Sequence, residues 1–287
     1  GKLAQRPLEL VDRFLAARSI ERAVEHHVDD GDAIRPDAGL DLIHVGDTAR
    51  EQGGTRGDHH RVRYLRDDQS TFQAPAASLD KIRSDESVAR IPAADVRWYP
   101  PVRRPGKICA VAMNNSASNE RKISAPDHPA FFLKPPSCLV GHREPIRIRR
   151  YYGSVHPEPE LAVVIGRPAR DVPATSALEA VYGYTIFNDI TGNGMRAEDR
   201  FHYWALYAKK DNPSETERVE QHLSYAGRYK GTDTFGAMGP WLVTKDEIAN
   251  TDDLTVTCKV GGELIAEDST RYYNYKVAEV VSFISHF

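Results

Sequence analysis

The run His156-Pro157-Glu158-Pro159-Glu160-Leu161-Ala162-Val163-Val164-Ile165-Gly166 sets two carboxylates two residues apart at the head of a strongly apolar segment. In a β-strand, side chains i and i+2 leave the same face, so Glu158, Glu160, Ala162 and Val164 share one side and Leu161, Val163 and Ile165 the other. Both carboxylates therefore converge. Two acids at that separation repel each other unless a cation lies between them or one keeps a proton, so the pair predicts a hard oxygen-binding metal or a shared proton. The alternative is a solvated strand end with two exposed acids.

The rest of the chain narrows the setting. Its 287 residues suffice for one large domain or a small and a medium one. Hydrophobic residues make up 40% and charged residues 28%, as in an ordinary globular protein. The net charge of −3, without a basic block, argues against nucleic acid as a partner. The longest apolar runs, such as 161–165, fall far short of the roughly 20 residues that cross a bilayer, so no membrane association is expected. The first residues hold no apolar signal core, and a cytoplasmic location is the expectation. Cys109, Cys138 and Cys258 are odd in number and widely spaced, which fits neither a disulfide framework nor a zinc site.

Residues 1–100 mix acidic and basic groups with few long apolar runs and read as a smaller N-terminal domain. Within it, 8–17 has helical spacing and 41–45 reads as a short strand ended by Gly46. The tract Trp98-Tyr99-Pro100-Pro101-Val102-Arg103-Arg104-Pro105 suits extended connection and marks the boundary to a second domain, 101–287. Strands are expected there at 107–112, 130–134, 158–166, 182–190, 239–244 and Leu254–Val260. A short helix is expected at 174–181, with Ser176 and Glu179 as a capping box, and a closing amphipathic helix at 277–286. So few helices between so many strands favour a strand-rich α+β fold over a doubly wound parallel sheet.

Asp189 ends the segment Tyr182-Gly183-Tyr184-Thr185-Ile186-Phe187-Asn188-Asp189 and offers the glutamates a third oxygen ligand, although an Asp at a strand end is commonly a turn former. Three carboxylates without His or Cys suit Mg²⁺, Mn²⁺ or Ca²⁺ better than zinc. Taken in order, Phe131-Phe132-Leu133-Lys134-Pro135-Pro136, Glu158-Pro159-Glu160-Leu161, Gly183-Tyr184-Thr185-Ile186-Phe187-Asn188-Asp189, Lys230 and Gly239-Pro240-Trp241-Leu242-Val243-Thr244 resemble the fumarylacetoacetate hydrolase superfamily over about residues 105–287. The resemblance implies a mixed β-roll catalytic domain and a homodimer. It implies Mg²⁺ or Mn²⁺ on Glu158, Glu160 and Asp189, and a small 2-oxo acid or 1,3-dicarbonyl acid as substrate. It also implies that Lys230 points into the site as a catalytic group stabilising developing negative charge, with Lys134, Thr270 and Asn114 near the substrate.

The chain departs from that family in four places. Hydrolytic members carry a His and a Glu after their first strand that activate water, whereas this chain has Met113-Asn114-Asn115-Ser116-Ala117-Ser118-Asn119-Glu120. Glu120 is available as the acid, but neither Ser118 nor Asn119 accepts a proton near neutral pH. After Asp189, Thr191-Gly192-Asn193-Gly194 replaces a stretch whose Arg grips substrate. Residues 195–229 form a longer connection than the family pattern, a candidate lid with His202 and His222 as substitute bases. The family's last strand and turn would lie beyond Phe287, so the chain reads as incomplete at that end. The leading expectation is a divalent-metal-dependent hydrolase cleaving a C–C bond in an acylpyruvate or fumarylacetoacetate-like acid. The alternatives are a 2-oxo-3-deoxy sugar-acid dehydratase or hydratase, a decarboxylase or isomerase, and a metal-dependent binder without turnover.

Overall fold

A computed structural model describes residues 97–287 and the backbone of three short strands before them, β1 (His44–Asp47), β2 (Arg63–Leu65) and β3 (Thr71–Gln73). The helix expected at 8–17 and most of the span 1–100 expected as an N-terminal domain lie outside the described residues. The strand expected at 41–45 is described only as β1, which runs on through Gly46 and pairs antiparallel with a strand of the second half, Leu254–Val260.

That second half is strand-rich α+β, as the spacing of short apolar runs implied. In chain order it contains β4 (Ile108–Val111), β5 (Phe131–Lys134), β6 (Leu139–Val140), β7 (Val155–His156), β8 (Pro159–Ile165), β9 (Val181–Asp189) and β10 (Thr191–Gly192). After these come β11 (Arg200–Ala208), β12 (Thr216–Ser224), β13 (Gly236–Met238), β14 (Val243–Thr244), β15 (Leu254–Val260) and β16 (Glu263–Ser269). The central strand is β9. On one edge it pairs antiparallel with β8 along its whole length, and on the other it pairs first with β14 and then with β13, which carries β6 in parallel. β9 is buried on both faces over most of its length, which explains a sequence that is apolar or small almost throughout.

The parity read from the sequence holds in β8. Leu161 and Val163 pack on a core of Ala177, Val181, Tyr184, Val277 and Val281, so the closing helix Val277–Ile284 covers that face while Glu160 lies on the other. A second core, formed by Ile146, Tyr152, Ile190, Met195, Tyr229 and Phe235, seats two short helices, Asn193–Glu198 and Gly227–Gly231. Each helix drives one large side chain, Met195 or Tyr229, into this core and so fixes the residue beside it.

Three local expectations need correction. The helix at 174–181 stops at Ala177 and tightens into a 3₁₀ turn, Leu178–Ala180, because Val181 already belongs to β9. Its N-cap is Pro173, and the Ser176 hydroxyl donates to the Pro173 carbonyl, so no capping box forms. The stretch 239–244 is strand only at Val243–Thr244, and the preceding strand is β13. Finally, residues 195–229 are no open loop: β11 and β12 form a nine-pair antiparallel hairpin between the two short helices. The hairpin β15–β16, also absent from the sequence reading, turns through Gly261 and Gly262, whose φ of +61° and +80° suit a two-residue turn of the left-handed kind.

Candidate metal centre

The pairing of β8 with β9 builds the site. Pro159 faces Asn188 and Glu160 faces Phe187, so the next position in register sets Glu158 opposite Asp189, and the Asp189 N–H donates to the Glu158 carbonyl at 2.9 Å. Glu158, Glu160 and Asp189 thus leave one face of two adjacent strands, as the i, i+2 rule requires.

Two lysines hold these acids. Lys230 Nζ lies 2.6 Å from Glu158 Oε2 and 2.7 Å from Asp189 Oδ2, bridging the strands. Lys134 Nζ donates to Asp189 Oδ1 at 2.6 Å and to the Lys230 carbonyl. Its side chain has 0% exposure, so Lys134 at the end of β5 does not project into solvent; it ties Asp189 to the Lys230 helix. The Lys230 ammonium also sits 5.2 Å from the centre of the Phe132 ring.

Glu158 keeps 32% of its side chain exposed, against 7% for Asp189. Its Oε1 accepts from the Thr191 hydroxyl at 2.6 Å and stands 2.9 Å from His156 Nε2. The Asn193 amide nitrogen approaches His156 Nδ1 at 2.6 Å; a donor there leaves the imidazole proton on Nε2, where it donates to Glu158. Burial alone would raise the Glu158 pKa, but the hydrogen bonds from His156, Lys230 and Thr191 and the Lys230 charge bring it down to about 2. Glu160 behaves oppositely. Burial, then repulsion from Glu158 and Asp189, push its carboxyl up to about 8. Farther along, Asp268 is also pushed up by burial, accepts from the Asn115 amide at 2.5 Å, and lies close enough to Glu160 and Tyr273 to raise both.

This donor set fits a divalent cation. Among the described residues no three His, Cys, Asp or Glu side chains are posed as a finished cage, and the Lys230 ammonium lies between Glu158 and Asp189. All the acids offer hard oxygens, and burial followed by the charges of Glu158 and Asp189 raises Glu160. Glu158, Glu160 and Asp189 are the residues that would hold an ion here.

The remaining sequence-derived residues are placed differently. Thr270 is fully buried, and its hydroxyl accepts the Leu254 N–H, so it joins β15 to the end of β16. Asn114 accepts the Tyr275 N–H and donates to the Tyr275 carbonyl, clamping two backbone segments. Glu120 is exposed on a 3₁₀ turn, Ser116–Arg121. Ser118 is buried, with its hydroxyl 3.0 Å from the Met113 carbonyl, and the Asn119 side chain meets Lys122 and Asn274. His202 and His222 are not brought to the acids: their rings stack at 4.2 Å on the exposed hairpin, where His202 also meets Glu220. His156, Thr191, Asn193 and Asp268 went unread in the sequence. The first two were accessible to the rule already applied, since His156 precedes Glu158 by two residues and Thr191 follows Asp189 by two.

The glycine-rich departure after Asp189 has a steric reason. A Cβ on Gly194 would stand 2.3 Å from the Tyr152 carbonyl oxygen and 2.7 Å from the Gly153 Cα. Gly194→Ala is expected to cost about 1–3 kcal/mol, read as a lowered urea midpoint, because the atoms in the way are backbone.

On this strand-rich α+β scaffold three carboxylates share one face, and the buried Lys230 bridges two of them, Glu158 and Asp189. Residues 107–287 match the family model of the fumarylacetoacetate hydrolase C-terminal domain, and the chain belongs to that family. It is 30% identical over 198 residues to the mitochondrial oxaloacetate tautomerase FAHD2B of Bos taurus, a match covering 69% of this chain and 56% of that protein. A 5-carboxymethyl-2-hydroxymuconate delta-isomerase from Mycobacterium smegmatis superposes with a TM-score of 0.52 and 31% identity over 69% of each chain. A maleylpyruvate hydrolase from Sphingobium sp. SYK-6, solved with manganese(II) and pyruvate, gives a TM-score of 0.52 and 26% identity over 73% of this chain and 64% of that one. The family thus includes tautomerases, isomerases and hydrolases. Among the described residues, no helix is long and apolar enough to cross a membrane.

Proposed function

We propose that this protein is a divalent-metal-dependent enzyme that moves a proton at the carbon next to the carbonyl of a 2-oxo or 1,3-dicarbonyl acid, a tautomerase or isomerase. The observation that carries the choice is the segment 113–120, where the family's water-activating His is absent and Ser118 and Asn119 are committed to hydrogen bonds. Glu120 is the one ionisable side chain of that segment, and it has no His beside it to act with. Glu158, Glu160 and Asp189 would hold Mg²⁺, Mn²⁺ or Ca²⁺, which when bound polarises the adjacent carboxylate and carbonyl oxygens of the substrate. Lys230, pinned between strands, stabilises the negative charge that builds up on oxygen as the carbon loses its proton. Asp268, half-buried and oriented by Asn115, is the group to which we assign that proton.

C–C hydrolysis of an acylpyruvate is the second reading, favoured by the likeness to the maleylpyruvate hydrolase. The two part in one experiment with manganese-loaded protein in deuterated water. Proton transfer puts deuterium beside the carbonyl of a 2-oxo acid, seen by NMR, and leaves an acylpyruvate whole; hydrolysis releases pyruvate and a second acid. Asp268→Asn should lose exchange yet keep manganese affinity. Neither exchange nor cleavage with any such acid would contradict both readings.

A further inference from the structure

Two histidines stand outside the site and meet each other. His202 and His222 are directly opposed across the β11–β12 hairpin, and Trp204 opposes Glu220 at the next position on the same face of the ribbon. The two imidazoles lie parallel within 11°, with 4.2 Å between their centres. Both residues are exposed.

A carboxylate completes the group. Glu220 Oε2 stands 3.1 Å from His202 Nε2. An acceptor there keeps the imidazole proton on Nε2 and leaves the Nδ1 lone pair for another partner, the outer contact that metal-binding histidines almost always make. A cation on the same face, Arg218, is held over the Trp204 ring at 4.2 Å.

We propose that His202 and His222 are the protein ligands of a divalent transition-metal ion of the class that prefers imidazole, Zn²⁺, Ni²⁺ or Cu²⁺. Glu220 orients His202, and water fills the other positions. Among the described residues no three His, Cys, Asp or Glu side chains form a cage, and an exposed pair open to water does not call for one. Two Zn–N bonds meeting near the tetrahedral angle hold their nitrogens about 3.3 Å apart. Exposed rings centred 4.2 Å apart reach that spacing by turning about their own side-chain bonds, with the backbone in place. Mg²⁺ and Mn²⁺, which favour oxygen, are not the ions of this pair, so it is chemically distinct from the carboxylate centre.

The pair lies at the root of the ribbon, near the start of β11 and the end of β12, beside the helices Asn193–Glu198 and Gly227–Gly231. Among the described residues neither strand pairs with any other, and a two-stranded ribbon is marginal alone. An ion bound to both strands joins them where neighbouring strands do not.

Cu²⁺ titration of the full chain in excess Mg²⁺, followed by electron paramagnetic resonance, tests the ligands. The wild type should bind one Cu²⁺ more, with two imidazole nitrogens in its hyperfine pattern, than either His202→Ala or His222→Ala. Glu220→Ala should keep that ion but hold it about tenfold more weakly. His286→Ala, which removes another carboxylate-held imidazole, should match the wild type. Hydrogen exchange gives the second readout: Zn²⁺ should slow amide exchange across 200–208 and 216–224 at least tenfold in the wild type and leave His222→Ala unchanged. Equal Cu²⁺ counts in the wild type and both histidine variants would overturn the proposal. So would Zn²⁺ protection that is absent from the hairpin or that survives in His222→Ala.

Discussion

Lys134→Met is expected to be the most destabilising single change near the site, lowering the unfolding free energy by about 3–5 kcal/mol, the usual cost of removing one partner from a buried charge pair. Methionine fills much the same volume, so the loss is electrostatic. Asp189 Oδ1 and the Lys230 carbonyl both lose the donor they share, in a place from which water is excluded. Urea unfolding in the presence of EDTA reads this as a lowered midpoint with an unchanged slope. A shift below about 1 kcal/mol would mean that Lys134 is not the tie between β5, β9 and the Lys230 helix.

Glu160→Gln should act in the opposite sense on the metal-free protein. The folded-state pKa of Glu160 is raised from 4.5 to about 8, so its neutral form belongs to the fold. A group with a raised folded pKa contributes stability that is complete below its unfolded pKa and lost as pH climbs through the folded one. The wild type in EDTA should therefore lose on the order of a few kcal/mol as pH rises from 4.5 to about 8, a loss that Gln at position 160 escapes. Above that window the variant should melt at the higher temperature. Added Mn²⁺ should recover the wild type at concentrations that leave Glu160→Gln unchanged. Parallel melting curves for the two proteins across the pH range would contradict the burial and repulsion assigned to Glu160.

Much of this was legible in the sequence because it rests on short-range rules. The i, i+2 parity of Glu158 and Glu160, the apolar run that follows, and the nearly continuous small and apolar β9 each follow from one strand's own residues. Their convergence with Asp189 needed only the strand order that the resemblance supplied. The burial of Lys134 was not legible because a lysine after an apolar strand reads equally well as an exposed end or a pocket group; it depends on β9 and the Lys230 helix, which are distant in the chain. The hydrogen bond of Thr270 was hidden for a like reason, since its partner is the backbone of Leu254. The β11–β12 hairpin was missed because its aromatic residues do not alternate with polar ones: both faces of the ribbon are apolar in part, and the period that announces a half-buried strand is absent.

The account stands or falls on whether Glu158 and Glu160 hold a cation. Titrating Mn²⁺ into the metal-free chain, with calorimetry for affinity and electron paramagnetic resonance for the bound ion, measures that directly. One ion per chain is expected for the wild type. Glu158→Gln and Glu160→Gln should each weaken it by about 100-fold or more, beyond the 10–100-fold effect of losing an outer partner. Wild-type affinity in both variants, or no stoichiometric binding in the wild type, would contradict the account.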